Sequence, residues 1–153
     1  MSNDNKVIAV FSPVGGIGVS TMAVNLAYLL ARKTESAIMD LVLDFGTVSE
    51  FLNFAPKYRI DQIPADAVAT ASPLLTELSL PRREALKVFA APEVMAQHFD
   101  LQTLIKNCRR TFKYTVIDLP HTLMVPEVET ALAEADFILL IGLYGLGNNR
   151  SDC

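Results

Sequence analysis

Short apolar runs alternate with segments of helical period along most of this chain. KVIAVFS (residues 6–12) is continuous, apolar and rich in β-branched residues, and it ends in Pro-Val-Gly-Gly. That pattern predicts a strand buried on both faces, as in a parallel sheet. Residues 20–33 predict a helix that is apolar nearly all round and therefore deeply buried. SAIMDLVLDFG (36–46) predicts a second strand ending near Asp40. Residues 45–67 mix short helical patterns with Pro56 and Pro64 and read as a loop-rich connection. LLTELSL (74–80) reads as a short helix stopped by Pro81, and ALKVFAAP (85–92) as a third strand.

DLQTLIKNCRRTF (100–112) is the clearest amphipathic helix. Leu101, Leu104, Ile105, Cys108 and Phe112 share one face, Asp100 suits the N-cap, and Arg109 and Arg110 suit the C-terminal turn. KYTVIDLP (113–120) predicts a fourth strand, PEVETALAEAD (126–136) a helix with proline in its first turn, and FILLIGLY (137–144) a fifth strand. Strands alternating with helices predict an α/β fold of three layers, a parallel sheet with helices on both faces. In such sheets the functional crevice lies at the carboxyl ends of the strands. The Gly15-Gly16-Ile17-Gly18 loop, Asp40 and Asp118 all fall at such ends, so three chain segments converge on one edge.

The glycine cluster has two readings. Glycines at 15, 16 and 18 let backbone N–H groups turn inward around an anion, and the helix that follows adds its dipole. The alternative is a tight strand-to-helix turn in which glycine serves packing alone. Ser20-Thr21 at the helix start and Asp118 after the apolar YTVI favour the first reading. A hydroxyl from Ser20 and water-mediated help from Asp118 are what Mg²⁺ on a polyphosphate requires. One part is missing: where a nucleotide loop carries lysine before its Ser/Thr, this chain has Val19.

Bulk composition narrows the classes. The 153 residues fit one domain, and 51% hydrophobic against 20% charged residues supports a large core. A net charge of −4 argues against nonspecific nucleic-acid binding. Arg82-Arg83 and Arg109-Arg110 with Lys113 read as solvated helix ends or loops before they read as a binding patch. Cys108 and Cys153 make neither a disulfide framework nor a metal set. MSNDNK does not resemble a signal peptide, and no apolar run approaches the roughly 18 residues of a membrane span, so a reducing cytoplasm is the expected setting. His98 and His121 are isolated and read as loop surface; for His121, just past the fourth strand, the lesser alternative is a place on the γ-phosphate side. Asp44 reads as an exposed loop acid or as a stand-in catalytic carboxylate. Phe45, Phe51 and Phe54 read as a small apolar cluster under their loop, or as a patch for a partner.

VGGIGVST (14–21) resembles the deviant Walker A loop of the ParA/MinD family, Lys-Gly-Gly-x-Gly-Lys-Thr/Ser-Thr. MDLVLDFGTVSEFLNFAP, LKVFAAPE and FKYTVIDLPH are similar to segments of that family's CpaE/TadZ branch, which positions the Flp/Tad pilus machinery. The resemblance spans about residues 6–144. It implies a P-loop NTPase fold of the ParA/MinD (SIMIBI) type, with ATP at Gly15, Gly16, Ile17, Gly18, Val19, Ser20 and Thr21. It also implies Mg²⁺ near Ser20, Asp40 and Asp118, a homodimer, and pilus-assembly partners at the inner membrane or a cell pole. Pro13 replaces the first loop glycine. The family's two lysines align with Val14 and Val19, and its catalytic aspartate with Val42. Each charged donor of this kind contributes roughly 3–4 kcal/mol to catalysis, so hydrolysis is expected to be slow or absent. The family would continue past the fifth strand with a helix and at least two strands, one carrying the adenine-recognition loop. GLGNNRSDC resembles none of these, so residues 1–144 are expected to form a C-terminally incomplete domain and 145–153 an irregular tail.

Overall fold

The computed structural model describes residues 4–44, 46–94 and 98–144. The expected tail at 145–153, including Cys153, and Phe45 lie outside the described residues. Six strands form one sheet: β1 (Lys6–Phe11), β2 (Ser36–Asp40), β3 (Ser79–Leu80), β4 (Arg83–Phe89), β5 (Tyr114–Asp118) and β6 (Phe137–Leu140), in the order β3-β4-β2-β5-β1-β6. All pairings are parallel except β3 with β4, which is an antiparallel hairpin turning at Pro81 and Arg82. The central strands are covered on both faces and read as unbroken apolar runs for that reason.

Alternate residues feed two cores. Val7, Ala9, Phe11, Met39, Phe89 and Ile117 pack with the buried stripe of α5 (Leu101–Thr111) and with Val128 and Ala131 of α6 (Pro126–Glu134). Val10, Ile38, Val88 and Val116 pack on the opposite face with Ala23, Val24 and Ala27 of α1 (Val19–Leu30). Three short helices, α2 (Val48–Phe51), α3 (Ala65–Ala69) and α4 (Leu74–Glu77), occupy the connection between β2 and β3. Asp100 caps α5 as its sequence predicts, accepting a 3.1 Å hydrogen bond from the Thr103 N–H.

Three expectations change. Helix α1 is not buried all round, because it lies on one face of the sheet with its small residues inward. Met22 and Leu29 face outward at 45% and 57% exposure. The apolar stretch 74–80 is not one helix: α4 ends at Glu77, and Ser79–Leu80 pair with β4. Pro81 does not stop the helix, which has already ended four residues earlier; it sits in the turn of the β3–β4 hairpin. The fifth predicted strand, here β6, ends at Leu140 and not at 144, and it is exposed on both faces, with Phe137 and Leu140 at 57% and 65% exposure.

Candidate nucleotide site

The carboxyl ends of β1, β2 and β5 open into a cleft of about 1530 Å³. The loop after β1 forms one wall. Gly16 and Gly18 have φ of 73° and 95°, a left-handed backbone that suits glycine and costs a side-chain-bearing residue energy. Gly18 is also the N-cap of α1, so the positive end of that helix faces the loop. Gly15, Gly16, Gly18, Val19, Ser20 and Thr21 line the cleft, while Ile17 is half-buried and does not. Val14 is exposed at the rim. Val19 is half-buried and packs on the apolar cluster beneath α1.

Ser20 lines the cleft, and Asp118 lies fully buried behind it, outside the lining. The Ser20 hydroxyl donates to Asp118 Oδ2 at 2.6 Å, across 98 residues of chain. The other oxygen, Oδ1, is buried without a hydrogen-bond partner among the described residues. Burial pushes the Asp118 carboxyl up to about 7, and the nearby Asp40 adds to the rise while the Ser20 hydroxyl opposes it. A buried carboxylate oxygen left unpaired is costly unless something positive faces it. A hydroxyl and a carboxylate are hard oxygen donors of the kind Mg²⁺ takes. Among the described residues there is no group of three or more His, Cys, Asp or Glu that could hold a metal alone. The pair therefore fits a Mg²⁺ that brings its own waters and phosphate oxygens, with Ser20 and Asp118 as its protein anchors.

Asp40 is placed differently. It is buried at the end of β2, and its oxygens accept from the backbone N–H groups of Val42 at 3.1 Å and Val48 at 3.2 Å. These bonds fix the 41–48 segment, which carries Val42 and Asp44 into the cleft wall. Burial raises the Asp40 carboxyl to about 6, opposed first by the Val48 bond, then by the Val42 bond and the charge of Arg59. Asp44 is exposed in the lining. The phenylalanines separate: Phe54 packs on the apolar cluster, whereas Phe51 is exposed and lines the cleft.

Gly46 gains a place here that its sequence context did not single out, and His121 takes the lesser of its two readings. Gly46 sits so close to Ala91 and the Asp40 carboxylate that a Cβ would collide with both. Its signal in the sequence was the Phe-Gly-Thr triplet, but the reason is a contact with Ala91, in the segment that follows β4. His121 lies against the glycine loop, its Nδ1 3.3 Å from the point where a Cβ on Gly15 would stand.

No protein-family model matches the chain, and no curated protein matches it. Solved structures do. A ParA family ATPase from Chlorobium tepidum TLS superposes with a TM-score of 0.76 at 19% identity, over 91% of this chain and 60% of that one. The septum site-determining protein MinD from Pyrococcus horikoshii OT3, complexed with Mg-ADP, gives 0.69 at 19% identity over 90% and 57%. The kinase domain of the Escherichia coli tyrosine kinase ETK gives 0.68 at 14% identity over 95% and 58%. The chain thus spans about 60% of the length of the ParA and MinD structures it matches. A glycine loop at the first strand, a carboxylate at the end of a neighbouring strand and superposition on these proteins give one result: the chain has the ParA/MinD-type P-loop ATPase fold.

Proposed function

We propose that this chain is a nucleotide-binding localisation factor of the CpaE/TadZ kind. It takes ATP with Mg²⁺ at Gly15–Thr21, Ser20 and Asp118, hydrolyses it slowly or not at all, and acts by being bound. It works as a homodimer and recruits Flp/Tad pilus-assembly proteins at the inner membrane or a cell pole, from the cytoplasm. Binding without turnover suffices for such a role, because a ligand with different affinities for two states shifts their populations. No helix among the described residues is long and apolar enough to cross a membrane.

The observation that carries the reading is the 2.6 Å bond between Ser20 and Asp118 beneath a loop without lysine. It joins the two residues that would hold a Mg-polyphosphate, while Val14, Val19 and Val42 stand where charge and a catalytic carboxylate would assist transfer. Bound Mg²⁺ would neutralise charge on the phosphates. The chain's own part is to present loop N–H groups and the α1 terminus, and to fix the metal with one hydroxyl and one carboxylate.

The runner-up is a positioning ATPase that turns over, favoured by the likeness to the MinD structure complexed with Mg-ADP. A nucleotide-free scaffold is favoured by the cleft's acidic lining, described below. Calorimetric titration with ATP and ADP, each with and without Mg²⁺, separates the three. The proposal expects Mg-dependent ATP binding with no ADP produced over hours. Steady ADP release would establish the ATPase. No heat at millimolar ATP would leave the scaffold.

A further inference from the structure

The cleft is unusual for one that would hold a polyphosphate. Among the described residues that line it there is no lysine or arginine, while Asp44, Glu50, Asp100 and Glu127 all do. The chain has two histidines, and both are in this lining. They are the only side chains there able to carry positive charge.

The two differ in what already engages them. His98 stands close enough to Asp100 for its charge to act on that carboxyl. Asp100 is held below its ordinary range first by hydrogen bonds from Thr103 and further by His98. His121 has no hydrogen-bond or ion-pair partner among the described residues, and it is exposed to the cleft. The backbone leading to it is nonetheless anchored. Leu119, two residues earlier, is buried, and its N–H donates to the Val10 carbonyl at 3.2 Å, which ties the segment after β5 to the strand that leads into the glycine loop. The imidazole then lies on Gly15, where the lack of a side chain leaves it room.

From this juxtaposition we infer that His121 is a phosphate-binding residue, the side-chain donor to the polyphosphate that this loop lacks. An imidazole N–H donates to a phosphate oxygen either neutral or protonated, and the bond is stronger when charged. The inference rests on the nucleotide-binding reading above and names one more residue of that site.

The test uses the whole chain, with Mg-AMPPNP and Mg-tripolyphosphate as probes. Affinities are measured for wild type, His121→Gln, His121→Lys, His98→Gln and Ser20→Ala. His121→Gln should weaken both probes about tenfold or more, His121→Lys should bind at least as well as wild type, and His98→Gln should weaken them less than His121→Gln does. Because the chain has two histidines, its proton spectrum has two imidazole Hε1 lines. The line assigned by loss in His121→Gln should move when Mg-AMPPNP is added, and by more than the His98 line. Equal affinity of wild type and His121→Gln, or a His121 line that stays in place at saturation, overturns the inference. If Ser20→Ala then still loses affinity, the nucleotide site survives without it. If folded wild type binds neither probe, the underlying reading falls and takes this one with it. Thermal melts show that each variant is folded before its affinity is compared.

Discussion

Asp40 and Asp118 are direct register partners across the β2–β5 ladder, two buried carboxyls side by side at the sheet's carboxyl edge. Both are raised from 3.8, to about 6 and about 7, and burial is the main cause in each. A raised carboxyl binds protons in the folded chain that the unfolded chain has already released. Between about pH 4 and 7 these groups therefore stabilise the fold as pH falls and destabilise it as pH rises.

The first prediction is that the ligand-free Asp118→Asn variant is more stable than wild type at pH 8, by on the order of a few kcal/mol, and that the difference shrinks toward pH 5. Urea unfolding at several pH values measures it. The same variant should lose any stabilisation by Mg-ATP. A variant less stable than wild type at pH 8 would mean that Asp118 ionises at little cost in the fold.

Gly46 packs against Ala91 and Asp40 with no space for a side chain. Gly46→Ala should cost about 1–3 kcal/mol, because neither the Ala91 Cβ, which moves only with its backbone, nor the buried carboxylate can give way freely. It should also disturb the two N–H bonds that Asp40 accepts, which shape the 41–48 segment. Amide exchange at Val42 and Val48 reports that directly. Gly16→Ala differs in kind: the space is open, and the cost arises from φ of 73° alone, about 1 kcal/mol.

Ser20→Ala leaves Asp118 Oδ2 without its 2.6 Å donor. Mg-ATP affinity should fall tenfold or more, while metal-free ATP binding should change little. Affinity unchanged with Mg²⁺ would place any nucleotide elsewhere.

Val19 stands at the start of α1 with its side chain on an apolar cluster. In Val19→Lys the aliphatic stem can keep that contact while the amine reaches the cleft. ATP affinity should rise about tenfold, and phosphate release should remain near background because Val42 still occupies the carboxylate position. Rapid turnover would show that position 42 is not where the missing catalytic group belongs.

The sequence by itself determined the alternation of strands and helices, the left-handed glycine turn into α1, the Asp100 cap and the convergence of residues 15–21, Asp40 and Asp118. These follow from local chemistry: period, backbone permissiveness and capping are set by residues near one another in the chain. Tertiary structure decided the rest. It turned 79–80 into a hairpin strand, because β4 had an edge open to pairing that short-range pattern cannot reveal. It left the outer side of α1 and both faces of β6 exposed, because burial depends on which layer lies above an element, and apolar composition does not specify that. It separated the roles of the two aspartates, giving Asp40 to the backbone of its own loop and Asp118 to Ser20, 98 residues away. It also set His121 on Gly15 and closed Gly46 against Ala91, in the segment after β4. Both are contacts between segments far apart in sequence, which exist only once the sheet has brought its strand ends together.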